Sequence, residues 1–187
     1  LNNPQEITMD TLTASELHTG TYQIDPLHSS IAFAVKYNGL SMFRSTFQKV
    51  EGQLEDGVLT GSVPVDSIAV DMPRFRDHLL SPDFFDAERF PQLTFTSTAI
   101  EPSDGEDAIT VSGELSVRGV THPVSAAGTY ATGEDPFGND RVGLMLTASI
   151  DRREFGLTWQ NPLPAGGDAL GWDVTLNVEL QLVKPHS

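Results

Sequence analysis

The chain has 187 residues, no cysteine, and 26 Asp plus Glu against 11 Lys plus Arg, for a formal charge of −15. That length suits one domain able to bury about two thirds of its unfolded surface, and the missing cysteine excludes disulfides and thiolate chemistry. So acidic a surface disfavours nucleic acid and anionic membranes, which recruit clustered basic residues, and fits a soluble carrier or simply a need for solubility.

No apolar run approaches the ~18 residues of a transmembrane helix, so no stable membrane insertion is expected. Residues 1–20 are polar and aperiodic and read as a flexible lead-in. They carry neither a basic n-region nor an apolar h-region. The expectation is therefore a cytoplasmic protein, although a mature periplasmic or secreted form has the same appearance.

From Thr21 onward the pattern is strand after strand. Ile31, Phe33, Val35 and Tyr37 alternate with Ala32, Ala34 and Lys36, and Phe43, Ser45 and Phe47 continue the period of two. Val58 to Val70 is strand-like but interrupted by Gly61 and Pro64. Arg74 to Phe90 is the one stretch that resists a strand. It is locally helical, with a first turn ending at Ser81 and Pro82 placed to start another. Strands follow at Leu93–Ala99 and Ile109–Val117. Gly119 to Pro123 reads as a hairpin connection into Val124–Thr132, and residues 133–140 have pure turn chemistry. The last strands are Val142–Ile150 and, after Gly156 and the Pro162–Gly167 loop, Trp172–Val183. Eight or nine short strands with one helical insertion predict a single all-β domain over residues 21–187, an antiparallel sandwich or barrel.

Alternate residues of a strand face opposite sides, so Phe33, Phe43, Phe47 and Phe95 share one face. Such aromatics either close a dry core or line a ligand cavity. Leu79, Leu80, Phe84 and Phe85, four large apolar residues in the helical insertion, must cover something, as a lid or as a plug over one barrel end; one of the two adjacent phenylalanines is expected in the core and the other in the cavity. His28, His78 and His122 lie far apart without local ligand spacing, so no metal site is expected. His28 reads as a turn residue after Asp25-Pro26, His122 as solvated, and His78 as a polar group near a cavity mouth. Ser81 and Ser29 lack a nucleophile elbow. Asp83 and Asp86 read as caps of helical turns rather than as an acid–base pair. Arg74, Arg76 and Arg89 form a cationic cluster suited either to neighbouring carboxylates or to an anionic head group.

Several segments together resemble the YceI-like family: Tyr22-Gln-Ile-Asp-Pro-Leu-His-Ser-Ser30, Phe33-Ala-Val-Lys36, His78-Leu-Leu-Ser-Pro-Asp-Phe-Phe-Asp86, Phe90-Pro91, Leu93-Thr-Phe-Thr-Ser97, Gly113-Glu-Leu115, Arg118-Gly-Val-Thr121, Pro123-Val124, Arg153-Glu-Phe-Gly156 and Val174–Val178. They span about Thr21 to Lys184 in order. The resemblance implies an extended eight-stranded antiparallel lipocalin-like barrel, with the helical insertion around residues 74–90 and a long apolar cavity for a polyisoprenoid or related amphiphilic lipid. Two positions depart from the family pattern. Tyr37 stands where His is frequent, and Met72 near where Thr is common, which implies a different head-group preference if these positions touch the ligand.

The cavity residues expected are Phe33, Val35, Tyr37, Phe43, Phe47, Leu79, Phe84, Phe85, Phe95, Leu115, Phe155 and Trp159, with Arg74, Arg76 and His78 as head-group contacts. The function expected is non-enzymatic binding, transport or storage of a polyisoprenoid, isoprenoid quinone or acyl lipid, with no other cofactor and a homodimer possible. The alternatives are a small hydrolase or isomerase using His78 on a lipid-like substrate, and a structural or stress-response module without ligand.

Overall fold

A computed structural model describes residues 19–185; most of the N-terminal lead-in expected over residues 1–20 lies outside them. Ten strands form one antiparallel sheet: β1 (Thr21–Ile24), β2 (Ser30–Tyr37), β3 (Ser41–Phe47), β4 (Glu51–Glu55), β5 (Val58–Pro64), β6 (Gln92–Pro102), β7 (Ala108–Val117), β8 (Val120–Glu134), β9 (Asp140–Asp151) and β10 (Leu170–Val183). β1 pairs with both β4 and β10, so β1 and β4 through β10 close into an eight-stranded barrel. Closure removes the open edges of these eight strands, leaving the outer side of β3 without a partner strand among the described residues.

The count exceeds the eight or nine strands expected because two staves are broken. β2 continues the line of β1 along β10, and β3 continues that of β4 along the β1–β2 stave. The first break falls at Asp25-Pro26, where proline has no ladder donor to offer. There the Asp25 carboxylate accepts from the Leu27 amide at 3.0 Å and turns the chain.

Antiparallel order sorts the connections to two ends. The turns 25–29, 56–57, 103–107 and 135–139 gather at one end, hereafter the far end. The β2–β3 turn, the long 65–91 excursion, the β7–β8 turn and the 152–169 segment gather at the other.

Helix α1 covers Pro73–Leu80, not the whole of 74–90. Pro73 occupies the first helical position, where the absent amide is no loss. Ser81 ends the helix, its amide and hydroxyl both donating to the His78 carbonyl. Beyond it Pro82 starts no second helix. The chain instead folds through turns, with Phe84 and Asp86 amides on the Ser81 carbonyl and Asp86 in the left-handed region. Asp83 and Asp86 are not helix caps either. Asp83 pairs with His78 at 3.2 Å and buried Asp86 with Arg89 at 3.3 Å. The excursion is tied to the free side of β3, where Ala69 N donates to Thr46 O at 2.8 Å and Ser45 Oγ to Ala69 O at 2.7 Å.

The β7–β8 hairpin is tighter than the sequence suggested. Arg118 and Gly119, both with positive φ, form a two-residue turn, and Pro123 lies inside β8 opposite Glu114. This is compatible with proline because β8 joins β9 only from Ala127 onward, so Pro123 has no β9 neighbour to serve.

A candidate ligand cavity

Inward-facing positions follow strand parity. On β5 these are Leu59, Gly61 and Val63; on β7 Ile109 to Val117 at odd numbers; on β9 Val142 to Ile150 at even numbers. Toward the far end they are buried: Leu54, Ile109, Leu144 and Leu182 are at most 1% exposed and form a packed floor. Midway along the barrel the pattern changes. Ile31, Phe33, Phe95, Leu115, Val124, Val174, Leu176 and Val178 also line the interior, yet each keeps part of its surface accessible. They surround a cavity of about 650 Å³. That is within the range of ~300–1,000 Å³ seen for small-molecule sites.

All twelve expected residues line this cavity: Phe33, Val35 and Tyr37 from β2, Phe43 and Phe47 from β3, Phe95 and Leu115 from β6 and β7, and Leu79, Phe84, Phe85, Phe155 and Trp159 from the connections. Phe84 and Phe85 both line it, Phe84 as a buried member of the core and Phe85 with part of its surface accessible. Aromatic contacts fix the wall. The Phe33 ring meets Phe43 at 6.0 Å and Phe47 at 5.7 Å, Phe75 meets Phe43 at 5.1 Å, and Phe85 meets Phe47 edge-on at 6.0 Å. These are the edge-to-face and offset separations that the ring quadrupole favours. Gly113 makes room for Phe95, since a Cβ there would lie 2.5 Å from the ring.

The cavity reaches the surface at the end that carries α1. Tyr37 at the tip of β2 is 47% exposed and Met72, just before α1, is 67% exposed, and both are lining residues. Together they form the mouth. His78 also lines the cavity, its ring edge-on to Phe84 and Trp159 at 5.0 Å. Arg74 and Arg76 do not line the cavity. Arg74 is exposed on α1, and Arg76 Nη2 donates to the Asp66 carbonyl at 2.6 Å. Ser81 does not meet the His78 ring, because its hydroxyl is engaged by the His78 carbonyl. Ser29 is committed to Gln181 of β10. His28 makes the expected turn contact, with Nδ1 2.9 Å from Asp25 Oδ2. His122 is half-buried against Phe155 at 5.5 Å rather than solvated.

One cationic lining residue was not among those expected. Arg152 is 3% exposed and follows Ala148 and Ile150 on the inward parity. Nε donates to Gly171 O at 2.7 Å, Nη1 to Leu157 O and to Trp159 O at 3.0 Å, and Nη2 to Leu170 O at 3.2 Å. The Trp172 ring stacks on it at 4.2 Å. Burial lowers its pKa from the usual arginine value, yet it stays a cation. Its carbonyl partners make it the pin that closes the 157–170 segment over the barrel. A charge two residues beyond an alternating apolar run was the available signal.

Residues 22–182 match the sequence model of the YceI-like domain. The chain belongs to the YceI-like family. Among curated relatives, a UPF0312 protein of Pseudomonas fluorescens is 31% identical over 159 residues, covering 78% of this chain and 80% of the relative. A UPF0312 protein of Pseudomonas savastanoi is 28% identical over 161 residues, covering 81% and 83%. Solved structures share the fold over most of the chain. A polyisoprenoid binding domain from Saccharophagus degradans, implicated in plant cell wall breakdown, gives a TM-score of 0.69 at 16% identity, covering 88% of this chain and 98% of that one. Burkholderia cenocepacia BcnA gives 0.66 at 18% identity, covering 84% and 98%.

Proposed function

We propose that this YceI-like barrel is a non-enzymatic carrier for one long apolar ligand, an isoprenoid chain or an acyl lipid, held in the cavity with its polar end at the Tyr37–Met72 mouth. One observation carries this most: apolar side chains midway along the barrel face inward but remain accessible around about 650 Å³ of space. A core filled by its own side chains would have close-packed them. A sister fold described as a polyisoprenoid binding domain supports the same direction. At the ~30 Å³ that one water occupies in the liquid, the space suits about twenty heavy atoms, or about four isoprene units. Each five-carbon unit gains roughly 3 kcal/mol from burial before ordering costs are deducted, so such a ligand needs no specific hydrogen bond for affinity.

The test is mass spectrometry of an organic extract of freshly purified native protein, with a parallel blank and a second extraction after incubation with C10, C20 and C40 isoprenoid alcohols. A stoichiometric ligand of about twenty carbons is expected. Empty extracts throughout would overturn the proposal. A His78→Ala variant separates the enzymatic alternative, because a carrier retains ligand and an enzyme using this imidazole loses turnover of any lipid-like substrate.

A further inference from the structure

The charge of −15 is unevenly placed. The four far-end turns contain Asp25, Asp56, Asp104, Glu106, Asp107 and Asp135 and no Lys or Arg. At the mouth the β2–β3 tip alone has the opposite sign. Residues 36–44, which form the β2–β3 tip, carry Lys36 and Arg44 and no acid, and residues 71–78 carry Arg74 and Arg76 against Asp71 and Asp77. Lys36, Arg44 and Arg74 are all exposed.

The same rim presents apolar side chains to water. Asn38 and Gly39 both have positive φ and the Leu40 amide returns to the Tyr37 carbonyl at 3.1 Å, so the turn itself holds Leu40 outward, 90% exposed. Met42, opposite Lys36, adds a second exposed apolar chain, and Tyr37 and Met72 continue the patch into the cavity. Cations with long stems, interleaved with Leu, Met and Tyr, are the composition that settles at a lipid headgroup boundary. Leu27 and Phe137 at the far end are nearly as exposed, but they stand among the acidic turns and do not line the cavity.

We propose that the mouth end, through the β2–β3 tip and the approach to α1, docks on a lipid bilayer surface and exchanges its ligand there, with the acidic far end directed into water. The docking presupposes an apolar ligand in the cavity, as proposed above, but it can be read without one. The exposed cations Lys36, Arg44 and Arg74 meet anionic or zwitterionic headgroups, and like-charge repulsion keeps the acidic turns of the opposite end away. Exchange at the surface spares the apolar chain a passage through water.

Flotation of full-length protein with phosphatidylcholine vesicles containing a minor fraction of phosphatidylglycerol tests the docking without any ligand. Leu40→Asp with Met42→Asp should remove vesicle binding, by roughly ten-fold or more, since two large side chains lose their burial. Leu27→Asp with Phe137→Asp, at the far end, should leave it unchanged. Neither pair touches the cavity wall. Retinol, a twenty-carbon isoprenoid alcohol, is then supplied either in ethanol or within the vesicles, and its capture is followed by energy transfer from tryptophan. Capture from vesicles should accelerate with vesicle concentration and slow in the Leu40/Met42 variant, while capture from ethanol stays the same. No flotation of the native protein, or equal loss in both variants, overturns the docking. Flotation with no retinol captured in either form leaves the docking standing and counts instead against the carrier.

Discussion

Gly61 is the inward position on β5 between buried Leu59 and Val63, and a Cβ built there meets no heavy atom within 4 Å. Its φ lies outside the left-handed region, so other residues can adopt it. A Gly61→Leu side chain therefore projects into the cavity and fills space the ligand would use, about four carbons' worth or roughly 120 Å³. Stability should hold or rise by a few tenths to about 1 kcal/mol, because a strand glycine is entropically costly. Retinol affinity should fall several-fold while a ten-carbon isoprenoid alcohol still binds. Paired thermal melts and fluorescence titrations check both halves, and unchanged retinol binding would mean that the ligand lies elsewhere. Gly113 is the opposite case. Its Cβ would strike Thr96 O at 2.4 Å and the Phe95 ring at 2.5 Å, so its smallness is already used by the wall.

Among the elements, the 65–91 excursion is the piece most separable from the barrel. Its backbone ties to the wall are few, Ala69 N to Thr46 O and Gln48 N to Ser67 O, while Val65 N to Pro91 O closes its own base. Ser45 Oγ on Ala69 O adds a side-chain tie, and apolar packing adds Ile68 and Leu79 in the core, Phe75 on Phe43, Phe85 on Phe47 and Phe84 on Trp159. Segments with few such ties open locally before the body of the fold. Amides of α1 should therefore exchange with deuterium faster than those midway along β7, β9 and β10. A bound ligand touching Leu79, Phe84 and Phe85 should slow α1 selectively, as a lid requires; equal protection with and without ligand would make the excursion a fixed plug. Much of this element plan was legible in the sequence. Period-two alternation marks β2, β3, β6 and β9, and parity alone places Phe33, Phe43, Phe47 and Phe95 on the interior wall. The vacancy behind them was not legible, because it depends on barrel radius against summed side-chain volume, which no local pattern encodes. Arg152 escaped attention because a charge at an inward position is tolerated only by four carbonyls that come from residues 157–171, brought in by the fold. Pro123 misled in the other direction, since proline suggests a turn until one sees that its side of β8 has no partner at that point.

Viewed as a whole, the molecule is open at one end and tied together by charges at the other. Arg141 on β9 reaches Asp25 at 2.6 Å, Asp135 at 2.8 Å and Gln181 at 3.0 Å, joining the β1–β2 break, the β8–β9 turn and β10. Partial burial alone would raise the Asp25 carboxyl, but hydrogen bonds from His28, Arg141 and the Leu27 amide outweigh it and hold the pKa at about 2. Asp135 is held well below the ordinary carboxylate range, first by the Asn139 side chain and then by backbone amides and Arg141. An unfolded Asp titrates near ~3.9, so between that value and about 2 the unfolded chain binds more protons than the native one. The stabilisation from this cluster is thus complete above about pH 5 and drains away as acid approaches pH 2. A second effect runs the other way. Neutralising other carboxylates relieves self-repulsion in a chain of charge −15, so absolute melting temperatures mix the two. The difference between the native protein and Arg141→Gln separates them, because general repulsion changes little with one surface charge. At pH 7 the variant should unfold at a lower urea concentration than the native protein, because the hydrogen bonds to charged groups are lost. The gap should narrow steadily from pH 5 to pH 2 in urea titrations. A gap that stays constant across that range would show that Arg141 acts by packing and that the far end is not held by its charges.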